Sequence, residues 1–200
     1  VIILDEVYRE FVYEGEFKRL AKFPNLADRL IMIDSVSKRY SACGARVGCL
    51  ASKNKDVIAN VLKLCQGRLS VSTLDMVGAA ALYHTPTSYF KDVNAEYKKR
   101  RDTVYNALRH MPGVVCEKPE GAFYISVKLP VDNSEKFIMW MLEHFDYNGE
   151  TVMMAPLESF YSKPGHGVDE VRIAYVLNTE DLQKAMTCLE KALEAYPGRK

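Results

Sequence analysis

The chain has 200 residues, of which 48% are hydrophobic and 26% charged, a composition typical of a folded globular protein rather than a disordered one. Its 27 basic residues are balanced by 26 acidic ones, so no strong field points to nucleic acid or a membrane surface, and we expect a small-molecule partner. The longest apolar runs fall short of the roughly 20 residues that cross a bilayer.

The cysteines are scattered and odd in number, and no two of them have the close spacing that is typical of zinc sites or dithiol chemistry. We therefore expect no metal. The pattern predicts reduced, mostly buried thiols and an intracellular, cytoplasmic protein. The five residues are Cys43, Cys49, Cys65, Cys116 and Cys188.

The first elements predict an α/β sheet. The chain opens on an apolar run, Val1 to Leu4, which is typical of a strand buried on both faces inside a parallel sheet. A second apolar run, Leu30 to Ile33, follows after a connection long enough for a crossover, and Val47 to Ala51 predicts a third strand. Because a domain seldom begins on a buried strand, we expect the chain to be a piece of a longer one.

Three helices are predicted in the middle of the chain. Lys55 to Cys65 and Ser72 to His84 have helical spacing of apolar residues, and Thr87 to Met111 is a long, charged amphipathic run that ends at "MPG". We expect the long helix to join two domains, residues 1–90 and residues 91–200. The first would hold a mixed, mostly parallel sheet, and the second would be a smaller α+β domain.

From residue 114 onward, short strands alternate with helices. Thr179 is expected to cap the last helix, and the trailing "YPGRK" is expected to be frayed. The predicted strands are Val114 to Cys116, Ala122 to Leu129, Val152 to Ala155 and Glu170 to Val176, and the helices are Ser134 to Phe145 and Thr179 to Tyr196.

Candidate functional residues follow the first two strands. Asp5 and Lys38 each come after a strand, at the carboxyl ends where open α/β sheets bind ligands. The simplest interpretation is an ion pair. A second interpretation is chemical, because a neutral lysine amine forms imines with carbonyl groups, and the hydroxyls of Ser35 and Ser37 with the fork of Arg46 suit a phosphate. An aldehyde, a phosphate and a ring nitrogen that needs a carboxylate together describe pyridoxal phosphate.

Four segments carry a family resemblance. "LDEVY", "SVSKRYSACGARVG", "PEGAFYISV" and "VRIAYVL" resemble, in order and approximate spacing, the signatures of the class I/II aminotransferases of fold type I. The resemblance covers nearly the whole chain, which would correspond to the carboxy-terminal half of a typical member. It implies that residues 1–90 are the end of the large domain that binds pyridoxal 5'-phosphate, and that residues 91–200 are the small domain.

The resemblance also implies roles for the cofactor-binding residues. Asp5 would bind the pyridine nitrogen and Tyr8 the phenolic oxygen of the cofactor. Lys38 would bind the cofactor covalently and later carry a proton between the substrate α-carbon and C4' of the cofactor. The residues implied to hold the phosphate are Ser35, Ser37 and Arg46.

Two arginines are implied to bind the substrate. Arg172 in "VRIAY" would bind the α-carboxylate, and Arg68 resembles the arginine that aspartate aminotransferases donate from the partner subunit to a side-chain carboxylate. We therefore expect amino transfer between aspartate or a similar amino acid and a 2-keto acid, in a full-length homodimer. Leu157 stands where the family often has a glycine, so the resemblance does not define how the substrate enters past this loop.

Other functions remain compatible with these residues. A β-lyase or decarboxylase of the same fold would keep Asp5, Lys38 and Arg46 equally well. A non-catalytic aminotransferase-like module of a transcription regulator would bind the same cofactor as an effector. Because the family's glycine-rich loop and stacking aromatic ring have no counterpart in these residues, we expect the isolated chain to bind the cofactor weakly and to be inactive.

Overall fold

The computed structural model of the protein describes residues 1–200. The chain divides into two units, Val1–Asn94 and Ala95–Lys200. The assignment of residues 1–90 and 91–200 to a large and a small domain of one family remains a prediction.

The first unit is built around a three-stranded sheet. β1 (Ile2–Asp5) and β2 (Leu30–Ser35) are parallel, with Asp5 opposite Ile33, as the crossover connection predicts. β3 (Gly48–Ala51) is antiparallel to β2, so the sheet is mixed, and parallel pairing does not predominate in this chain.

The prediction that β1 is buried on both faces is wrong. Val1 is 86% exposed and Ile3 is 65% exposed, whereas Ile2 and Leu4 are half-buried. The physical reason is the twofold alternation of a strand, which puts residues 1 and 3 together on one face, and the first unit leaves that face uncovered. β1 is also an edge strand, since it pairs with β2 alone.

One α-helix follows β2, and three more follow β3 along the chain. α1 (Val36–Arg39) begins directly after β2, and α2 (Lys55–Arg68) begins at Asn54, whose side chain accepts hydrogen bonds from the backbone N–H groups of Asp56 and Val57. α3 (Thr73–Leu82) and α4 (Thr87–Leu108) follow. None of the helices is both long enough and apolar enough to span a membrane.

The second unit is an antiparallel sheet packed against helices. Its strands are β4 (Val115–Cys116), β5 (Tyr124–Lys128), β6 (Ala155–Pro156) and β7 (Glu170–Ala174), in the order β4-β5-β7-β6. One face of β5 and β7 is buried through alternate residues, which join apolar side chains of α4, α5 (Ser134–His144) and α6 (Thr179–Ala195). The buried strand residues are Ile125, Val127, Val171 and Ile173.

Two predictions about α6 and the terminus are corrected. Asn178, and not Thr179, caps α6, because the Asn178 side chain accepts a hydrogen bond from the backbone N–H of Asp181. The terminus is docked rather than frayed: the Tyr196 hydroxyl donates to Asp132 at 2.9 Å, and the Lys200 N–H donates to the Pro130 carbonyl at 2.9 Å.

Apolar burial is distributed unevenly along the chain. The second unit holds a large continuous core, whereas the fully buried apolar side chains of the first unit are only Phe11, Leu30, Val36 and Ala79. The cysteines follow the same trend: all five are free thiols and only Cys188 is buried, so the prediction of mostly buried thiols is wrong.

Candidate functional site

The turn from β2 into α1 orders two serines. Ser35 is the last residue of β2 and caps α1, with extended backbone angles and a side chain that accepts from the Ser37 N–H at 3.1 Å. Its Oγ also lies 2.8 Å from the Ser37 Oγ and 3.0 Å from the Val47 carbonyl. A hydroxyl carries one proton, so Ser35 donates either to the Ser37 hydroxyl or to the Val47 carbonyl, which already accepts the Val36 N–H at 3.2 Å. The Ser37 hydroxyl hydrogen-bonds only to Ser35, so its proton can turn toward a ligand.

An open cleft of about 440 Å³ lies beside this turn. Its wall includes Ser35, Ser37 and Arg46, so the structure brings the three residues of the implied phosphate site into one cavity. Arg68, in the last turn of α2, lines the same cleft of the same chain. Its donation to a partner subunit stays a prediction. Gly48 also lines the cleft, and a Cβ there would lie 3.0 Å from the Asp34 carbonyl oxygen, so β3 approaches β2 closely at this point.

Arg46 has an unusual backbone conformation. Its φ of 57° and ψ of 33° are left-handed, which costs an ordinary residue about 1 kcal/mol or more. Its guanidinium donates to the Cys43 carbonyl at 2.9 Å, which ties the side chain to the turn that precedes it. Arg46 remains exposed, so its other N–H donors can reach a ligand in the cleft.

Asp5, Tyr8 and Lys38 lie after neighbouring parallel strands. Asp5 ends β1 and accepts a hydrogen bond from the Val7 N–H at 3.2 Å, and the Tyr8 ring packs edge-on against Phe11 with centroids 6.4 Å apart. Lys38 is half-buried in α1, directly after β2. The strand register thus puts Asp5 and the β2–α1 turn at the same end of the sheet, where the carboxyl ends of β1 and β2 lie. The contacts of these residues with a cofactor stay predictions.

A partly buried network of ion pairs lies next to the β2–α1 turn, and the sequence analysis missed it. Arg39 is only 4% exposed and forms an ion pair with Asp34, which also pairs with Arg9 at 3.1 Å. Burial on its own would lower the pKa of Arg39, but the charge and hydrogen bond of Asp34 outweigh it and raise the pKa above its usual value. Glu10 adds a contact of 3.6 Å to Arg39.

A sequence signal for this network existed. Asp34 and Arg39 directly flank the stretch from Ser35 to Lys38, and opposite charges on both sides of a functional turn favour a pair across it. We infer that the network holds α1, and with it Lys38, against the ends of β1 and β2. Arg9 completes the link, because it pairs with Glu6 at 3.6 Å as well as with Asp34.

Arg172 lies in the second unit, on β7. Ser126 of β5 and Ala155 of β6 lie opposite it in the sheet, on the face away from the apolar core. Its guanidinium carbon is 5.2 Å from the ring centroids of both Tyr124 and Phe160. The carboxylate-binding role of Arg172 stays a prediction, and the sequence analysis did not foresee the two rings beside it.

Comparison with known proteins identifies relatives along almost the whole chain. The family model described as Aminotransferase class I and II matches residues 1–189. The aspartate aminotransferase of Bacillus subtilis (strain 168) is 28% identical over 208 residues, which are 98% of this chain and 50% of that protein.

Solved structures agree with this match. The aromatic aminotransferase from Pyrococcus horikoshii OT3 superposes with a TM-score of 0.83 at 28% identity, covering 97% of this chain and 51% of that one. The α-aminoadipate aminotransferase from Thermus thermophilus, solved with N-(5'-phosphopyridoxyl)-L-leucine, has a TM-score of 0.80 at 22% identity, over 97% of this chain and 50% of that one, and shows the shared fold. The chain spans about half the length of the relatives that it matches.

Proposed function

The chain belongs to the class I and II aminotransferase family, and from this premise we propose that it carries part of the active site of a pyridoxal-phosphate-dependent aminotransferase. The family's cofactor is pyridoxal 5'-phosphate. One observation carries the proposal: the cleft beside the β2–α1 turn is lined by Ser35, Ser37 and Arg46, and Lys38 lies in α1, the helix that starts at this turn, although it does not line the cleft itself.

The donors in this cleft fit a phosphate group. Ser37 supplies a hydroxyl whose proton can turn toward a ligand, and Arg46 supplies a guanidinium fork that matches phosphate oxygens. The strained backbone of Arg46 supports the proposal, since left-handed non-glycine residues cluster at binding sites. Ser35 would act mainly through the turn, because its hydroxyl is hydrogen-bonded within the turn to the Ser37 N–H, the Ser37 hydroxyl and the Val47 carbonyl.

We propose the following roles in the reaction. Lys38 would hold the cofactor, and its amine would take the proton from the substrate Cα as a general base and deliver it to C4' of the cofactor as a general acid. Asp5 keeps the pyridine nitrogen protonated, and Tyr8 donates to the phenolic oxygen. Bound cofactor supplies an electron sink for the negative charge that develops at Cα. Arg172 binds the α-carboxylate through a bidentate pair.

The substrate is proposed only as a class. The relatives named above are an aspartate, an aromatic and an α-aminoadipate aminotransferase, so the family accepts different amino acids. We propose aspartate or a similar amino acid as donor and a 2-keto acid as acceptor, with Arg68 as a further carboxylate-binding residue. We also propose that this chain is part of a longer, cytoplasmic, homodimeric protein.

Absorbance titration of the full-length protein with pyridoxal phosphate tests the cofactor proposal. Wild-type protein should develop the visible band of lysine-bound cofactor, and Lys38→Ala should lose it, whereas Lys53→Ala, a matched exposed lysine, should keep it. The 200-residue chain alone should bind far more weakly. A band that survives in Lys38→Ala would contradict the assignment of Lys38.

Product analysis then tests the reaction type. Aspartate with 2-oxoglutarate should give glutamate and a new keto acid. Release of carbon dioxide would instead indicate a decarboxylase, and loss of a β-substituent from a cysteine-type donor would indicate a lyase. Cofactor binding without any turnover would indicate a non-catalytic module.

A further inference from the structure

The Arg172 guanidinium lies against two aromatic rings and not against a charged group. Its guanidinium forms no hydrogen bond or ion pair, and instead lies 5.2 Å from the centroid of the Tyr124 ring and 5.2 Å from that of the Phe160 ring. We call Tyr124 and Phe160 the aromatic bracket. All N–H donors of a half-buried guanidinium therefore stay available for a ligand, while the rings restrict how the side chain moves.

Tyr124 belongs to the sheet itself. It lies on β5 two residues from Ser126, the direct neighbour of Arg172 across the β5–β7 pair. Side chains two residues apart on a strand share a face, so Tyr124 and Arg172 are diagonal neighbours. The position of this ring is set by strand register.

Phe160 comes from a loop that is tied to the start of β7. The Leu157 N–H donates to the Glu170 carbonyl at 3.0 Å, and the Phe160 N–H donates to the Leu157 carbonyl at 2.9 Å. The Tyr161 hydroxyl donates to a Glu170 carboxylate oxygen at 2.5 Å. Glu170 thus fixes the loop on both sides of Phe160, two residues before Arg172 on the same strand.

A glycine makes this anchoring possible. Gly167 has a φ of +71°, and a Cβ at this position would lie 2.5 Å from the Tyr161 ring. The Tyr161 ring therefore occupies the space that any side chain at position 167 would need. Phe160 itself is 61% exposed, so it does not stabilise the apolar core, and its structural partner is the guanidinium of Arg172.

We propose that Tyr124 and Phe160 are positioning residues that orient Arg172 to receive a planar carboxylate of the substrate. The inference rests on the proposed function, because it takes the ligand of Arg172 to be an α-carboxylate. A long arginine side chain loses much conformational freedom when it binds. The bracket restricts that freedom before the ligand arrives, and because neither ring accepts a conventional hydrogen bond, the N–H fork stays available for a carboxylate, whose geometry it matches.

Kinetics of Phe160 variants in the full-length protein test this inference. Phe160→Leu should raise KM for an amino acid donor about tenfold, while kcat changes less than twofold. The reason is that Arg172 would bind the α-carboxylate equally strongly in the ground state and in the transition state. Phe160→Tyr keeps a ring and should restore the wild-type KM. Phe23→Leu, which alters another exposed phenylalanine, is the matched control and should have no effect.

Two further readouts separate positioning from general damage. Transfer from benzylamine, which has no carboxylate, should be unchanged in Phe160→Leu. Arg172 in cofactor-free protein should react several-fold faster with p-hydroxyphenylglyoxal in Phe160→Leu than in wild type or Phe160→Tyr, measured by peptide mass spectrometry. Tyr124→Leu should also raise KM for the amino acid donor and speed the modification of Arg172, and Tyr124→Phe should do neither.

The outcomes distinguish the inference from the function on which it rests. If the wild type transfers amino groups but KM is the same in Phe160→Leu, the bracket does not position Arg172 and the inference is overturned. An equal loss with benzylamine and with the amino acid would overturn it as well. If the wild type transfers no amino group from any donor, the proposed function fails, and an unchanged Arg172 modification rate would separately disprove the bracket.

Discussion

The two serines of the β2–α1 turn differ in what holds their hydroxyl protons. The Ser35 hydroxyl accepts the Ser37 N–H and lies 3.0 Å from the Val47 carbonyl, so it stabilises the turn, whereas the Ser37 hydroxyl hydrogen-bonds only to Ser35. We therefore predict a mainly structural role for Ser35 and ligand binding for Ser37. The sequence "SVSK" alone does not distinguish these roles, since both serines stand at positions that suit a phosphate site.

Serine-to-alanine variants separate the two roles. Ser37→Ala should weaken pyridoxal phosphate binding about tenfold or more, because one hydrogen bond to a charged group is lost, and should leave stability nearly unchanged. Ser35→Ala should lower the free energy of unfolding by about 1 kcal/mol through loss of the cap. Cofactor titration and urea unfolding of the full-length protein measure the two effects. Equal effects of both variants on affinity would contradict the assignment.

The Asp34–Arg39 pair provides a second residue-level prediction. Asp34→Ala leaves the buried Arg39 with Glu10 at 3.6 Å as its remaining carboxylate partner, and should lower the free energy of unfolding by about 3 kcal/mol. Arg39→Leu should cost clearly less, because Asp34 keeps its ion pair with Arg9 at 3.1 Å. Urea unfolding compares both variants with Glu143→Gln, an exposed control. A larger loss for Arg39→Leu than for Asp34→Ala would show that this ranking is wrong.

At the scale of elements, the docked terminus makes the stability of the folded protein depend on pH in the alkaline range. Burial first, and then the hydrogen bond to Asp132, raise the pKa of Tyr196 to about 12. A tyrosine in the unfolded chain titrates at about pH 10. The Tyr196–Asp132 hydrogen bond therefore stabilises the folded state fully below about pH 10, and this stabilisation is lost as the pH rises toward 12. The same hydrogen bond lowers the pKa of Asp132, whose contribution is lost as the pH falls through the acid range.

Tyr196→Phe tests this pH dependence. The variant should be less stable than wild type at neutral pH, and the difference should shrink between about pH 10 and about pH 12, because the ionised phenol no longer donates to Asp132. Free energies of unfolding measured across this range give the result. A difference that stays constant up to pH 12 would rule out the Tyr196 hydroxyl as the titrating group.

Elements with strong periodicity are predictable from the sequence. The pattern predicts Ser134 to Phe145, and the helix is Ser134–His144, because its apolar stripe has a large core to pack against. The α6 cap is predicted one residue too late, since Asn178 and Thr179 are both good caps and only the fold decides between them. The docked "YPGRK" end is missed because its partners, Pro130 and Asp132, are remote in sequence.

The candidate site follows the same division. The residues around the β2–α1 turn are identifiable because their chemistry is local, in one short stretch. Tyr124 and Phe160 are not, because a ring and a guanidinium meet only through strand register and a folded loop. The buried Arg39 is missed for a related reason: an arginine next to a motif is usually a surface residue, and its burial depends on Asp34 and Glu10.

At the scale of the whole molecule, the uneven core predicts uneven resistance to proteolysis. Val1–Asn94 has four fully buried apolar side chains, whereas most of the buried core lies in Ala95–Lys200. Brief trypsin treatment of the 200-residue chain should therefore leave a resistant fragment that lies within residues 95–200. Fragment masses identify it, and preferential survival of residues 1–94 would contradict this distribution of stability.

The exposed face of β1 also affects how this chain behaves in concentrated solution. Val1 and Ile3 point outward on a strand whose second edge has no partner in the sheet. A flat apolar strand edge is a template onto which a strand from another molecule can add. Concentrating the isolated 200 residues thus favours intermolecular β-stacking and turbidity, and dilute, cold handling is the physical remedy because hydrophobic association weakens on cooling.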